Sequence, residues 1–354
     1  METKKNQGYS GGHKKMKQQE EITIWKENEY DYPLAFGFVP NIVSYLHDDE
    51  QIRPCMLVVP GGGYCVVSPT EGEIVAKKFY EKGYQAFVLT YTTNLLMMEP
   101  LKKQPMQDLS RAIRYIRKHA EEFCVDPEKL VICGFSAGGH LCASVCVHYG
   151  DVQDECEEYQ NISNRPDAAI LSYPVITSGE KAHKGSFCAL LGMKPDPETG
   201  EPVCTASDEE LEYMSLEKHV TPDMPPCFLW QTVTDEAVPV ENSYMFAESC
   251  RKNGVLHAHH VFSQGKHGLS LANDDWKEGR YGEPYTMEQT MNLVQAVRDG
   301  KIPMPEDAKE AFLKNFGDMQ NLNDGSDRQP SKEVAVWPDL AAEWLEYACE
   351  MTCN

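Results

Sequence analysis

From residue 21 onwards, short apolar runs typical of buried strands alternate with longer stretches whose apolar residues recur at helical spacing. Parallel strands need a crossover connection, usually a helix, so this order predicts βαβ units around a mainly parallel sheet. Such crossovers are right-handed, which gives a doubly wound α/β domain with helices on both faces. The predicted strands are 55–59, 85–91, 129–133, 168–173, 227–232 and 259–262, and the predicted helices are 74–80, 108–123, 137–148, 240–250 and 340–349.

Three segments stand outside this alternation. Residues 1–20 are polar and aperiodic, so we expect a flexible arm ahead of one α/β domain over 21–354. Residues 175–224 carry turn signals and acidic clusters after an inner strand, which predicts a cap over the site. Residues 276–333 are predicted to be a helical insertion, a candidate dimerisation element that would make the protein a homo-oligomer. Its predicted parts are helices at 286–297 and 306–316 and a polar loop at 321–332.

The charge balance narrows the choice of partners. Lys and Arg number 33 and Asp and Glu 55, which gives a net charge of −22. Such a surface repels phosphate backbones and anionic lipid, so we expect a neutral ligand and neither nucleic acid nor a membrane. No apolar run approaches the roughly 20 residues of a membrane span, and no apolar signal segment follows the first lysines. The 13 cysteines form no CxxC pair, so we expect reduced thiols in a cytoplasmic protein.

The sequence Gly134-Phe-Ser-Ala-Gly138 joins a predicted strand to a predicted helix. In that context a G-x-S-x-G pattern is typical of a nucleophile elbow, a turn that holds the serine above the sheet at a helix N-terminus. The turn is so tight that side chains two residues either side of the serine would clash, which explains the glycines. Ser136 is therefore the candidate nucleophile. The alternative is a glycine-rich turn in which the serine only caps the helix.

A second glycine-rich loop, Pro60-Gly-Gly-Gly-Tyr64, follows the strand expected beside the elbow strand. An acyl-transfer enzyme needs backbone N–H groups where the tetrahedral oxyanion forms. Gly62 and Gly63, with Ala137 just after the nucleophile, are the candidate donors. The loop lacks the Lys-Ser/Thr of a phosphate loop and the spacing of a dinucleotide fingerprint, which leaves a flexible turn as the alternative.

A serine nucleophile needs a histidine base. His267 lies in a loop just beyond the last predicted strand and is the candidate. His257, His259 and His260 lie before or within that strand; the first two share a face but lack a third metal ligand, so no metal site is expected. His140, just after the elbow, is expected to be a helix residue packed beside the site.

The carboxylate that orients the base is predicted to be Asp235, which ends the apolar run 227–233. It lies at the carboxyl end of a strand, where open α/β sheets build their sites. Glu236 is the immediate alternative, whereas Asp223 precedes the strand and should lie at the opposite end. The chain order is then Ser, Asp, His, as in the α/β-hydrolase fold.

Four stretches carry a family resemblance: Pro-Gly-Gly-Gly-Tyr at 60–64, Gly-Phe-Ser-Ala-Gly-Gly-His at 134–140, the run 225–243, and Gly-Lys-His-Gly at 265–268. With them the sequence resembles the bacterial α/β-hydrolases of the acetylxylan esterase and BD-FAE-like family, carbohydrate acetyl esterases, over residues 25–275 and the last helix. The resemblance implies short-chain acyl esters, often acetyl groups on plant polysaccharides or xylo-oligosaccharides. Two residues depart from related sequences. Pro60 stands where lipase relatives carry the histidine of HGGG, and Gln231 where close relatives often have histidine.

These observations favour a serine carboxylesterase that needs no cofactor and hydrolyses acetyl or other short esters of xylo-oligosaccharides. The charged, turn-rich cap favours sugar esters over long acyl chains. A cytoplasmic enzyme would meet imported oligosaccharides rather than polymeric xylan. The alternatives are a prolyl-oligopeptidase-type peptidase, for whose usual propeller domain the chain lacks room, and an inactive relative that binds a sugar or small molecule.

Overall fold

A computed structural model describes residues 15–200, 202–317 and 328–352. The strands of this part of the chain are β1 (Glu21–Thr23), β2 (Asn41–Tyr45), β3 (Arg53–Val59), β4 (Gln85–Thr90), β5 (Val125–Phe135), β6 (Ala168–Ser172), β7 (Met193–Pro195), β8 (Pro202–Cys204), β9 (Cys227–Thr232) and β10 (His257–Phe262). The helices are α1 (Glu73–Glu81), α2 (Gln104–Lys118), α3 (Ala120–Phe123), α4 (Ala137–His148), α5 (Glu157–Gln160), α6 (Lys184–Leu191), α7 (Asp208–Tyr213), α8 (Glu241–Lys252), α9 (Asp274–Lys277), α10 (Glu288–Arg298), α11 (Glu306–Phe316) and α12 (Trp337–Thr352).

Eight of the strands in the described ranges form one sheet in the order β1-β2-β4-β3-β5-β6-β9-β10. All pairs from β4 to β10 are parallel, whereas β2 pairs antiparallel with both β1 and β4. The predicted mainly parallel sheet is therefore confirmed. Because β3, β5, β9 and β10 run in the same direction, their carboxyl ends lie at the same edge of the sheet. We call this the carboxyl edge; it is where open α/β sheets build their sites.

Helices cover both faces of the sheet. In β3, Cys55, Leu57 and Val59 contact one apolar layer, while Met56 and Val58 contact the other, as the two-residue period of a strand requires. α2, α4 and α8 contribute to the first layer, and α1 and α12 to the second. This doubly wound arrangement explains why the central strands are apolar on both sides.

Several element boundaries differ from the predicted ones. β1 and β2 were not predicted, because β2 contains polar Asn41 and Ser44, which are buried and hydrogen-bonded to Val39 O and Glu20 N. The predicted helix 108–123 begins earlier, at Gln104, and divides at His119 into α2 and α3. The predicted helix at 340–349 begins at Trp337, and the strand at 129–133 is longer at both ends.

Part of the predicted flexible arm is attached to the domain. Residues 1–14 lie outside the described residues, but Lys17 N donates to Leu46 O at 2.9 Å and Asp48 N donates to Lys15 O at 2.8 Å. These bonds attach the chain to the residues after β2. Residues 15–20, which the prediction placed in the arm, are therefore attached to the domain.

The two predicted insertions each pack at the carboxyl edge of the sheet. The 175–224 segment holds α6, the β7–β8 hairpin and α7, and Asn94 Nδ2 donates to its Ala189 O at 3.0 Å. The 276–333 segment holds α10 and α11, and its Gln289 exchanges hydrogen bonds with Thr93 after β4. The part of its predicted polar loop at 321–327 lies outside the described residues. Within the ranges described, no helix is long and apolar enough to cross a bilayer.

Candidate active site

Ser136 occupies the tight turn between β5 and α4. Its backbone has φ 53° and ψ −117°, a conformation that L-residues rarely adopt. A Cβ at Gly134 would lie 2.3 Å from Gly138 O, and one at Gly138 would lie 2.2 Å from Val59 O. Any side chain at these glycines would therefore collide with backbone, so the sequence Gly-Phe-Ser-Ala-Gly permits this turn.

The structure brings Ser136, His267 and Asp235 into one hydrogen-bonded line. Ser136 Oγ donates to His267 Nε2 at 2.7 Å, and His267 Nδ1 donates to Asp235 Oδ2 at 2.7 Å. The other carboxylate oxygen, Asp235 Oδ1, accepts from the N–H groups of Ala237 and Val238 at 3.0 and 2.9 Å. Both oxygens are thus fixed, which holds the imidazole in the tautomer that can accept the serine proton.

Of the two candidate carboxylates after β9, the structure brings only Asp235 to His267. Asp235 is 7% exposed, whereas Glu236 is exposed to solvent. Asp223 is also exposed, ahead of β9 at the opposite end of the strand. Gln231 lies under the Asp235 turn, where its Nε2 donates to Val238 O at 2.6 Å and approaches Asp235 Oδ2 at 3.5 Å.

The glycine loop lies directly against the nucleophile. A Cβ at Gly61 would be 2.9 Å from Ser136 Cβ, and Gly62 and Gly63 have φ of 124° and 66°. Among the described residues, none accepts a hydrogen bond from the backbone N–H of Gly62, Gly63 or Ala137. Three unpaired donors beside a serine hydroxyl have the chemistry of an oxyanion site.

His140 lies beneath the loop and is neutral. Tyr64 OH donates to its Nδ1 at 2.8 Å, and its Nε2 donates to Met214 O of the cap at 3.0 Å. Burial lowers the pKa of His140 to about 4. This histidine therefore joins the glycine loop to the cap, as a packed neighbour of the site.

The three remaining candidate histidines do not join the site. His257 Nδ1 contacts Val255 O at 2.9 Å, and His259 Nε2 contacts Ser243 Oγ at 3.1 Å. His260 stacks on Phe228. No group of three metal-ligating side chains occurs within the ranges 15–200, 202–317 and 328–352.

The cap forms one wall of the site. His183 begins α6, and its Nδ1 accepts from Ser186 Oγ at 2.8 Å. Ser186 Oγ is 3.9 Å from where a Gly63 Cβ would stand, so the cap reaches the glycine loop. Burial and the charge of His267 lower the pKa of His183. On the other side of His267, a cavity of about 610 Å³ opens toward Trp276 and Ser331 of the second insertion.

Comparison with known proteins identifies the family. The family model BD-FAE matches residues 44–250, more than half of the chain. The chain belongs to the BD-FAE family. The predicted resemblance to this family is thereby confirmed.

The relatives of this BD-FAE family member include longer proteins. It is 53% identical over 274 residues to endo-1,4-beta-xylanase B of Butyrivibrio fibrisolvens, covering 77% of this chain and 41% of that protein. It is 29% identical over 235 residues to an acetylxylan esterase of Xylanibacter ruminicola, covering 65% and 44% respectively. The chain thus spans less than half the length of these two relatives.

Solved structures confirm the α/β-hydrolase fold. An acetyl ester-xyloside bifunctional hydrolase from Caldicellulosiruptor lactoaceticus is 36% identical with a TM-score of 0.62, covering 80% of this chain and 97% of that one. The carboxylesterase Cest-2923 from Lactobacillus plantarum is 24% identical with a TM-score of 0.59, covering 88% and 94%. The second likeness concerns the fold alone.

Three residues of this BD-FAE family site were not predicted: Glu71, Tyr173 and His183. Glu71 is buried beside the glycine loop, Tyr173 packs edge-on against the His267 ring, and His183 enters from the cap. In a chain with 55 acidic residues, one glutamate after a glycine loop carries no distinguishing pattern. Tyr173 ends a predicted strand, which alone indicates packing rather than a role at the site.

Proposed function

We propose that this chain is a serine carboxylesterase that removes acetyl and other short acyl groups from xylan-derived oligosaccharides. The main support is the hydrogen-bonded line from Ser136 through His267 to Asp235, beside three backbone N–H groups without an acceptor among the described residues. A nucleophile, an oriented base and oxyanion donors in one place are the parts that acyl transfer requires.

In the first half-reaction, Ser136 Oγ attacks the ester carbonyl carbon while its proton passes to His267 Nε2. The carbonyl oxygen becomes an oxyanion that accepts from the N–H groups of Gly62, Gly63 and Ala137. Asp235 stabilises the imidazolium through Nδ1. The tetrahedral intermediate then breaks its bond to the sugar oxygen, which takes the proton from His267 and leaves as the alcohol.

In the second half-reaction, water replaces the alcohol. His267 Nε2 takes a proton from the water as its oxygen attacks the acyl-enzyme carbonyl, and the same donors hold the oxyanion. Collapse breaks the bond to Ser136 Oγ, which recovers its proton from the imidazolium. Acetate and the free serine are the products.

The substrate class is proposed from two considerations. The relatives named above include a xylanase, an acetylxylan esterase and an acetyl ester-xyloside hydrolase. The cap that reaches the glycine loop is rich in charged and turn residues, which suits a sugar better than a long acyl chain. The location in the cytoplasm, and therefore a supply of imported oligosaccharides, remains a prediction.

Hydrolysis of p-nitrophenyl acetate, butyrate and octanoate by wild type and Ser136→Ala tests the proposal. We expect turnover to be fastest on acetate and to fall by roughly 10⁴-fold or more in the variant, because the nucleophile is lost. Release of acetate from acetylated xylo-oligosaccharides then tests the natural substrate class.

Two other results would contradict the proposal. Preference for octanoate would argue for a lipase-like enzyme. No turnover, together with no labelling of Ser136 by a fluorophosphonate, would favour the inactive, sugar-binding relative.

A further inference from the structure

Glu71 is a buried carboxylate that the proposed reaction steps leave unused. It ends the short turn Pro69–Glu71 ahead of α1 and is 4% exposed. Burying a carboxylate costs free energy unless hydrogen bonds satisfy it. The hydrogen-bond partners of the Glu71 carboxylate therefore indicate its role.

Both oxygens of Glu71 bind parts of the site. Oε2 accepts from the N–H of Gly61 at 2.8 Å, directly before the two glycines proposed as oxyanion donors. Oε1 accepts from Tyr173 OH at 2.6 Å, and that hydroxyl accepts in turn from Ser270 N at 3.0 Å. One carboxylate thus connects the glycine loop to the loop that carries His267.

The hydrogen-bond pattern fits an ionised Glu71. The Gly61 N–H, the Tyr173 O–H and the Ser270 N–H each find an acceptor when the carboxylate carries no proton. Burial raises the pKa of Glu71 above its usual value, and the bonds from Tyr173 and Gly61 and the charge of His267 offset only part of that rise.

Glu71 also acts on the proposed base. The Tyr173 ring packs edge-on against the His267 ring, with centroids 5.0 Å apart at 70°. Because the hydroxyl of the same tyrosine donates to Glu71 Oε1 at 2.6 Å, one tyrosine side chain connects the carboxylate to the His267 ring.

We propose that Glu71 is a positioning residue: its ionised carboxylate fixes the oxyanion loop and places a second negative charge, besides Asp235, near the His267 imidazolium. The inference rests on the proposed ester hydrolysis. Glu71 touches neither the substrate nor the nucleophile's oxygen in this scheme, and it acts through Gly61 and Tyr173.

Several ionisable groups bear on the charge state of His267. Asp235 bonds its Nδ1, and the exposed Lys266 precedes it in the chain. The groups that face it from other elements are Glu71, Tyr173 and His183, and Arg328 lines the cavity beside it. Of these, Glu71 is the one carboxylate, and its hydrogen-bond pattern fits the ionised form.

Glu71→Gln tests the inference, since it removes the charge and keeps the size. We expect kcat on p-nitrophenyl acetate to fall by about tenfold to a hundredfold with little change in KM, because the oxyanion donors lose their fixed position. The acid limb of the pH profile of kcat/KM should move to lower pH, because the imidazolium loses a nearby negative charge. A merely structural role would not move that limb. Glu71→Asp, which keeps the charge, should restore its position.

Glu73→Gln is the matched control. Glu73 is a neighbouring buried glutamate, but it bonds Tyr45 OH at 3.2 Å and pairs with Lys77. We expect its variant to keep the wild-type kcat and pH profile. Wild-type kinetics in Glu71→Gln would overturn the inference, as would the same losses in both variants.

A second measurement separates this inference from the proposed function. The pH titration of the His267 ring, followed by NMR in wild type, Glu71→Gln and Glu73→Gln, needs no turnover. A midpoint that moves to lower pH only in Glu71→Gln supports the charge placement even if no ester is hydrolysed. An unchanged midpoint contradicts it even if the enzyme is active. Should Glu71→Gln fail to fold, Tyr173→Phe breaks the same connection: we expect a lower kcat, and wild-type kcat would overturn the inference.

Discussion

Asp235 accepts hydrogen bonds from His267 and from the two N–H groups of the turn that follows it, and these bonds set the tautomer of the imidazole. Asp235→Asn would place an amide N–H against Nδ1 and favour the tautomer whose Nε2 carries the proton. That nitrogen could no longer accept from Ser136. We expect kcat on p-nitrophenyl acetate to fall by roughly 10⁴-fold.

The neighbouring Glu236 provides the control for Asp235. Its side chain is exposed, so Glu236→Gln should retain wild-type kcat. Equal losses in the two variants would contradict the assignment of the orienting carboxylate, and loss only in Glu236→Gln would reverse it.

The sequence alone identifies some residues of the site but not others. Ser136 and Gly62 stand in glycine-rich motifs, and Asp235 and His267 each follow an apolar strand, so local pattern and strand order suffice to nominate them. Glu71 has no such pattern. Its role depends on contacts with Gly61 and with Tyr173, 102 residues away along the chain, which only the folded sheet brings together.

At the scale of elements, α12 supports the loop that carries His267. Trp337 stacks on Trp230 of β9, with centroids 5.4 Å apart, and its Nε1 donates to Ser270 O at 2.8 Å. Trp337→Phe keeps an aromatic ring but leaves a buried carbonyl without its donor. We expect the free energy of unfolding in urea to fall by about 1–3 kcal/mol, with a lower kcat as the loop loosens.

Trp344 on the same helix serves as the control for Trp337. It is partly buried and packs against Phe228 of β9 at a centroid distance of 6.0 Å. Trp344→Phe should cost less stability and leave kcat unchanged. If both variants lost kcat equally, α12 would support the site through general packing rather than through the bond to Ser270.

Sequence patterns predict some strands and helices but miss others. The central strands and α4 could be predicted because they are continuously apolar and bounded by glycine or polar residues. β1 and β2 could not, because β1 has three residues and β2 buries polar side chains, of which Ser44 bonds Glu20 of an earlier segment. α2 starts before its apolar pattern, at a turn that includes Pro105, where a proline costs a helix nothing.

For the molecule as a whole, buried neutral histidines should make stability fall in acid. Burial lowers the pKa of His140 to about 4, whereas the unfolded chain titrates near 6.5. Between these values the unfolded chain binds the proton more readily than the folded protein, so stability falls as pH drops through this window. His140 alone should lower the free energy of unfolding by about 2 kcal/mol between pH 7 and pH 5.

His140→Gln isolates that contribution. The amide can accept from Tyr64 OH and donate to Met214 O, yet it does not titrate. Urea unfolding at pH 7 and pH 5 should show that the variant loses less stability on acidification than wild type does. Identical losses in the two proteins would mean that the acid sensitivity arises from other groups.

The bond from Trp337 to Ser270 also bears on how the protein is made. The two residues are 67 positions apart, so a ribosome adding about 5–20 residues per second delivers the tryptophan several seconds after the serine. During that interval the nascent sheet carries the whole nucleophile–base line but lacks the helix that covers Trp230 and steadies the His267 loop. We therefore expect activity to arise only after Trp337 has been added, and chains stalled before Trp337 to present an uncovered apolar face to chaperones.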